Sequence, residues 1–387
     1  MPRLPTANTL PHGRGSDPSR DRGTLWVGSA TLQPMKKIRV LVADDSALMR
    51  QLLKRIIATS ADLDLVGVAR DGEDVVAKAR ELRPDVVSMD INMPKLDGIT
   101  ALQMILQEKI CPVVMVSSLT QRGTTTTFEC LELGAFDFVA KPDGTVSANM
   151  GVVAVELISK LKAAASRGIV DRLQRIRERR QPYRPPARST FAALPRKRAV
   201  VIGISTGGPA TLQEVLPLIP ADVPASLFLV QHMPPAFIAS FAKRLGDNCA
   251  VKVVEARSGM PIEQSVCYVA PGGMHLCLYR KTSGEVVIRT PTTPATLFVP
   301  SVGVMMDSVL KIYGTDTIGV LMTGIGDDGA DQMVAIRQAG GHTIAESEQT
   351  AVVWGMPREA IERGGACVVA PSYQVAGEIL SAVGRTI

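Results

Sequence analysis

The chain has 387 residues, 46% of them hydrophobic, and a net charge of +6. This length predicts two domains, and six scattered cysteines without a C-x-x-C pair argue against a zinc site or a disulfide scaffold. Residues 160–198 hold thirteen basic and two acidic residues, so the rest of the chain is acidic on balance. The charge therefore argues against a nucleic-acid-binding surface on the folded domains.

Residues 1–35 are rich in Arg, Pro and Gly and lack the apolar segment of a signal peptide. No apolar run in the chain approaches the roughly 20 residues that a membrane-spanning helix needs. We therefore expect a disordered N-terminal extension over residues 1–35, no membrane insertion and a cytoplasmic location.

A first α/β domain is predicted over residues 36–155. Short, uniformly apolar segments alternate with helical segments from IRVLVA near residue 38 to DFVAKP near residue 142. This alternation predicts a five-stranded parallel sheet of the flavodoxin-like type, covered by helices on both faces. The predicted helices are Ser46–Ala58, Gly72–Leu82, Gly98–Glu108 and Thr124–Leu133.

Residues 156–198 combine the Arg-rich string LQRIRERR with several prolines, which is typical of a linker. A second alternating series follows over residues 199–387, with the apolar segments AVVIGIS, SLFLVQH, VCYVAP, EVVIR, IGVLMT and HTIAE. This series predicts a doubly wound, mostly parallel α/β domain. Because ligands of such sheets bind at the carboxyl ends of the strands, we expect the functional residues there.

Five polar side chains fall at strand ends of the first domain. Asp44 and Asp45 end the first strand and Asp90 ends the third, so three carboxylates would meet at one sheet edge and bind a divalent cation such as Mg²⁺. Ser117 and Lys141, at the ends of the fourth and fifth strands, can contact a phosphoryl group. Single aspartates of this kind are often helix N-caps, but five matching positions favour a phosphoacceptor site.

The strings VADDS, SMDINMPKLDG, VMVSS and FVAKP resemble the receiver domain of two-component response regulators. The resemblance implies that Asp90 is phosphorylated and that the main-chain carbonyl of Asn92 completes the Mg²⁺ ligands supplied by the three aspartates. It also places Phe138 at the aromatic switch position of that family.

A candidate nucleophile lies in the second domain. Ser205 stands in GISTGGP, where glycines permit a tight turn from a strand into a helix and leave the serine exposed. His232 ends the next strand, LFLVQH, so it would reach the same sheet edge as a general base. The alternatives are a phosphate-binding turn and a structural histidine, but the Walker lysine and the G-x-G-x-x-G spacing are both absent.

A candidate acid lies in TGIGDDG, which follows the apolar strand IGVLM and opens a helix. Asp327 or Asp328 can orient the histidine, and backbone N–H groups of the loop can receive an oxyanion. Spacing alone leaves the choice between the two aspartates open, and both could simply offset the helix dipole. The order Ser, His, Asp differs from the Ser, Asp, His order of the α/β-hydrolase fold.

The strings GISTGGP, VQHMPP, APGGMHL, LMTGIGDDGA and VVWGMPREAI resemble the catalytic domain of the chemotaxis protein-glutamate methylesterases, the CheB family. The resemblance implies that Ser205 is the nucleophile, His232 the base and Asp328 the triad acid. It also implies that Thr206 and Ile325 belong to the oxyanion and site loops.

Two positions depart from that family's pattern. Ile325 replaces the usual Met, and Gly303 stands where an acidic residue is common. A backbone N–H that serves as oxyanion donor is unaffected by the change from Met to Ile. The two departures therefore bear on the shape of the substrate groove and not on the oxyanion donor.

The resemblance implies a phosphorylation-activated hydrolase that removes methyl esters from glutamates of methyl-accepting chemotaxis receptors and deamidates receptor glutamines. It implies a chemotaxis histidine kinase as phosphodonor, Mg²⁺ in the receiver, no cofactor for ester hydrolysis and a receiver that covers the cleft when unphosphorylated. We further expect a monomer. A DNA-binding regulator would carry a smaller, helical output domain, and a non-catalytic scaffold would not need Ser205, His232 and Asp328 together.

Overall fold

The computed structural model describes residues 36–118, 120–141, 150–166, 169 and 197–384. The predicted N-terminal extension, residues 1–35, and the Arg-rich part of the predicted linker lie outside the described residues. Within the described ranges, no helix is both long enough and apolar enough to cross a membrane.

The first domain contains a parallel sheet of five strands in the order β2-β1-β3-β4-β5. Every residue of β3 and β4 is buried, as expected for strands that helices cover on both faces. The prediction of a five-stranded parallel sheet is confirmed. The strands are Ile38–Ala43 (β1), Leu63–Ala69 (β2), Val86–Asp90 (β3), Val113–Ser117 (β4) and Asp137–Ala140 (β5); the helices are Ala47–Ala58 (α1), Gly72–Leu82 (α2), Gly98–Gln107 (α3), Gln121–Leu133 (α4) and Met150–Ala164 (α5).

Side-chain caps explain where the first helices begin. The side-chain oxygens of Ser46, Asp71 and Asp97 accept hydrogen bonds from backbone N–H groups three residues on, which satisfies donors that a helix start leaves free.

Helix α5 runs across the boundary predicted at residue 155. The apolar residues of this helix continue past that point, whereas the prediction relied on the change in charge.

The second domain contains seven parallel strands in the order β14-β13-β12-β6-β7-β9-β8 and a separate antiparallel pair, β10-β11. The prediction of a doubly wound, mostly parallel domain is confirmed. The strands are Arg198–Ile204 (β6), Ala225–Gln231 (β7), Lys252–Glu255 (β8), Val266–Val269 (β9), Cys277–Arg280 (β10), Val286–Arg289 (β11), Thr317–Leu321 (β12), His342–Glu346 (β13) and Val368–Ala370 (β14). The helices are Gly208–Val215 (α6), Pro235–Asp247 (α7), Val302–Tyr313 (α8), Ala330–Gln338 (α9), Met356–Glu362 (α10) and Ser372–Gly384 (α11).

The two domains contact each other through α4 and α7. The Phe128 ring lies 6.3 Å from the ring of Phe237 and 6.1 Å from that of Phe241, measured between centroids. Arg244 pairs with Glu132 at the edge of this contact, with 2.6 Å between Nη2 and Oε2. The contact therefore combines a buried aromatic cluster with an exposed ion pair.

Candidate active site and phosphoacceptor site

Ser205 lies in a tight turn between the central strand β6 and helix α6. The turn needs glycine at position 207, because its φ is +78° and a Cβ there would lie 2.5 Å from Cβ of Val352. Ser205 N–H donates to the Thr323 carbonyl at 2.9 Å, which fixes the turn against the loop after β12. The structure thus places the predicted nucleophile at the carboxyl end of the sheet.

His232 follows β7, the strand beside β6. Its Nε2 lies 2.9 Å from Oδ2 of Asp328, and its ring stacks on Phe298 with 4.3 Å between centroids and 14° between planes. Its Nδ1 is buried without a hydrogen-bond partner among the described residues. With Nε2–H directed at the carboxylate, the Nδ1 lone pair is available to accept a proton.

Asp328 is held by the amino end of α8. Its Oδ1 accepts from Ser301 Oγ at 2.8 Å and from Gly303 N–H at 2.9 Å, and its Oδ2 also accepts from Val302 N–H at 2.7 Å. Burial alone would raise the pKa of Asp328, but the hydrogen bonds from His232 and the two amides outweigh it and lower the pKa. The carboxylate therefore stays ionised beside the imidazole.

The choice between the two aspartates follows from their partners. Asp327 is exposed and its Oδ2 accepts from Nη2 of Arg363 at 2.7 Å. Asp328 is the one in contact with His232.

The loop after β12 lies directly against Ser205, the predicted nucleophile. A Cβ on Gly324, the residue before Ile325, would lie 2.7 Å from Cβ of Ser205, which Thr206 follows directly in the chain. Among the described residues, no hydrogen bond joins Ser205 Oγ to His232. The structure thus gathers the predicted site residues at one sheet edge.

The departure at Gly303 has a local explanation. A Cβ at this position would lie 2.7 Å from Oε1 of Gln332 and 3.2 Å from Oδ1 of Asp328. The glycine therefore leaves room for the Gln332 side chain while its own N–H reaches the Asp328 carboxylate.

Several residues of the site were missed by the sequence analysis. His275 is fully buried; its Nδ1 accepts from Ser301 N–H at 3.1 Å and its Nε2 donates to the Pro294 carbonyl at 2.9 Å. Ser301 carries a recognisable signal, since it is a serine immediately before an apolar helix. Phe298, an apolar residue in an irregular segment, carries none.

The residues of the predicted phosphoacceptor site also meet at one sheet edge. Ligand oxygens of Asp44, Asp45 and Asp90 all lie within 4.8 Å of one another, and Nζ of Lys141 lies 2.9 Å from Oδ2 of Asp44 and 2.8 Å from Oδ2 of Asp90. Burial raises the pKa of Asp90, although Lys141 opposes this shift. Three carboxylates of this kind form a donor set that fits Mg²⁺, and Asn92 lies in the loop directly after β3.

Ser117 and Phe138 connect this site to the second domain. The hydroxyls of Ser117 and Thr127, which lies on α4, are hydrogen bonded at 2.6 Å. The buried Phe138 ring lies 4.5 Å from the Phe237 ring, and Nζ of Lys160 lies 5.3 Å from its centroid on the receiver side. The predicted switch residue is thus part of the domain contact.

Two family descriptions match the chain: the response regulator receiver domain over residues 40–147 and CheB methylesterase over residues 200–379. The protein-glutamate methylesterase/protein-glutamine glutaminase 3 of Syntrophomonas wolfei is 58% identical over 352 residues, covering 90% of this chain and 100% of that protein. The protein-glutamate methylesterase/protein-glutamine glutaminase of Caldanaerobacter subterraneus is 50% identical over 362 residues, which cover 90% of this chain and 97% of that protein. The crystal structure of the Thermotoga maritima CheB methylesterase catalytic domain matches with 37% identity, 48% and 98% coverage and a TM-score of 0.47.

Proposed function

Because the chain belongs to the family of protein-glutamate methylesterases/protein-glutamine glutaminases with a receiver domain, we propose that Ser205, His232 and Asp328 are its catalytic triad and that its substrates are methyl-accepting chemotaxis receptors. The enzyme class itself follows from the family: the chain hydrolyses protein glutamate methyl esters and glutamine amides. The observation that carries the triad proposal is the 2.9 Å contact of His232 with Asp328 at the sheet edge that also holds Ser205.

In the proposed mechanism, Ser205 Oγ attacks the ester carbonyl carbon while His232 accepts the hydroxyl proton at Nδ1, the nitrogen without a partner. The tetrahedral intermediate expels methanol, which takes that proton, and leaves a glutamyl ester on Ser205. Water then attacks this ester, with His232 again as base, and releases the glutamate carboxylate. A glutamine amide loses ammonia by the same steps, and Asp328 stabilises the imidazolium in both.

Backbone N–H groups beside Ser205 are the proposed oxyanion donors. Thr206 follows the serine and Ile325 follows Gly324, whose backbone packs against the Ser205 side chain. Amides that are held rigidly stabilise the developing negative charge without reorganising. The change from Met to Ile alters the side chain and leaves this N–H in place.

In the receiver, Asp90 is the proposed phosphoacceptor, and a chemotaxis histidine kinase the proposed donor. Asp44, Asp45 and Asp90, with the carbonyl of Asn92, would hold Mg²⁺, which neutralises charge on the incoming phosphoryl group when bound. Lys141 already pairs with two of these carboxylates, so its ammonium is placed to pair with the phosphoryl oxygens.

Phosphorylation is proposed to release a receiver that covers the catalytic cleft. Thr127 of α4 now donates to Ser117 Oγ at 2.6 Å, and a phosphoryl oxygen on Asp90, as acceptor of the Ser117 O–H, would draw this hydroxyl away from Thr127. Helix α4 also carries Phe128, which packs on Phe237 of the catalytic domain. Loss of the hydroxyl contact would therefore loosen the helix that holds the two domains together.

A second feature of the packing supports the same regulation. Ile169, beyond α5, belongs to the same buried cluster as Val352. Val352 packs directly under Gly207 in the nucleophile turn. Movement of the receiver would therefore shift the turn that carries the nucleophile.

A serine-directed fluorophosphonate tests the triad. We expect the probe to modify Ser205, as located by peptide mass spectrometry, and labelling to fall at least tenfold in His232→Gln. A Ser283→Ala variant, which alters an exposed serine in the turn between β10 and β11, serves as the control and should label like wild type. Modification of a different residue, or equal labelling of His232→Gln, would contradict the triad.

A further inference from the structure

Glu346 is a fully buried carboxyl group that the mechanism above does not use. It ends β13, next to β12 and one strand from the nucleophile strand β6. Its Oε2 accepts from Thr323 N–H at 2.8 Å, and its Oε1 accepts from Thr350 Oγ1 at 2.9 Å. None of the Glu346 surface is exposed, so its carboxyl group does not face the substrate.

Thr323 links this carboxyl to the nucleophile turn through three groups. Its carbonyl accepts from Ser205 N–H at 2.9 Å, and its hydroxyl donates to the Thr206 carbonyl at 2.8 Å. The same hydroxyl accepts from Val353 N–H at 2.9 Å. Glu346 holds the remaining polar group of Thr323, its N–H, so all three polar groups of this residue are hydrogen bonded.

We propose that Glu346 is a positioning residue for ester hydrolysis: by anchoring Thr323, it fixes the backbone of Ser205 and Thr206. It acts through Thr323 and does not touch the substrate. This inference rests on the proposed role of Ser205 as nucleophile. An error of about 1 Å in the position of a reacting group can cost about 100-fold in rate, so the anchor should be visible in kcat.

Glutamine is the conservative replacement at this position. Its carbonyl can accept from Thr323 N–H, and its amide can donate to Thr350 Oγ1, whereas alanine leaves the N–H without an acceptor in a dry interior. At position 323, serine keeps the bridging hydroxyl, and valine removes it with little change in shape. Each position therefore offers a disruptive variant and a matched conservative one.

The experiment measures kcat and KM for methanol release from methylated receptor membranes by the full-length protein. We expect Glu346→Ala and Thr323→Val each to lower kcat by roughly 10- to 100-fold with KM changed less than about threefold. Glu346→Gln and Thr323→Ser should recover kcat to within about threefold of wild type. The double variant Glu346→Ala/Thr323→Val should be no slower than the slower single variant, because both changes loosen one anchor.

Two controls separate the possible failures. Glu348→Gln, an exposed glutamate two residues away, should behave as wild type, and Ser205→Ala should be inactive. If Ser205→Ala is as active as wild type, the proposed nucleophile itself is wrong. If Ser205→Ala is inactive but Glu346→Ala and Thr323→Val keep wild-type kcat, or their losses multiply in the double variant, the positioning role is overturned.

Discussion

The stability of the catalytic domain should depend on pH through Glu346. Burial raises the pKa of this carboxyl to about 7 from an ordinary value of 4.5, against the opposing hydrogen bonds from Thr323 and Thr350, and the charge of Glu214 raises it further. Between these two pH values the folded protein binds a proton that the unfolded chain has lost. The free energy of unfolding therefore falls as the pH rises through this window, and the loss is complete above pH 7.

The magnitude follows from the distance between the two pKa values, which corresponds to about 3 kcal/mol at about 1.4 kcal/mol per pH unit. Glu346→Gln lacks this ionisation, so its stability relative to wild type should increase by most of that amount between pH 5 and pH 8. For a domain of this size, 1 kcal/mol shifts the melting temperature by roughly 2–4 °C. We therefore expect the difference in melting temperature between variant and wild type to change by roughly 5–10 °C.

Differential scanning calorimetry of both full-length proteins at half-unit pH intervals measures this effect. The change with pH is the diagnostic quantity, because any constant cost of the amide cancels from it. Glu348→Gln supplies the control and should follow the wild-type curve. Parallel curves for Glu346→Gln and wild type from pH 5 to pH 8 would refute the reasoning.

Three further outcomes are expected. Asp328→Asn should lower kcat by about 10³-fold or more in the receptor demethylation assay, whereas Asp327→Asn should stay within about twofold, and equal effects would contradict the assignment of Asp328. Glu132→Arg should raise the activity of the unphosphorylated protein by up to about fivefold, the equivalent of about 1 kcal/mol for an exposed ion pair, and adding Arg244→Glu should reverse the gain. Removing Mg²⁺ with a chelator should abolish stimulation by a small phosphodonor while basal ester hydrolysis stays within about twofold, and loss of the basal rate would contradict a metal-free hydrolytic site.

The parallel architecture was predictable because its signals are local. Segments such as VVSMD and AVVIGIS are apolar at every position, which is typical of strands buried on both faces, and the polar residue that follows each one then falls at the same sheet edge. These local signals were enough to predict that Ser205, His232 and the TGIGDDG loop lie at the same sheet edge. The short strands β8, β10 and β14 and the last two helices were not identified.

The fine structure of the site was not predictable, because it depends on segments far apart in the chain. Asp328 is held in a different environment from Asp327 by the start of α8, more than twenty residues earlier in the chain. There Ser301 Oγ and two backbone amides donate hydrogen bonds to the Asp328 carboxylate. In the sequence, Glu346 is one of many polar residues at a strand end, and nothing near it indicates that it accepts a hydrogen bond from Thr323. Such contacts depend on how segments far apart in the chain pack together in three dimensions, which no spacing rule describes.

Methanol release from methylated receptor membranes tests the central claim most directly. Wild type and Ser205→Ala are compared with and without a small phosphodonor. We predict release by wild type that increases with the phosphodonor, and no release by Ser205→Ala under either condition. Equal release by the two proteins would contradict the catalytic assignment, and a wild-type rate that ignores the phosphodonor would contradict control by the receiver.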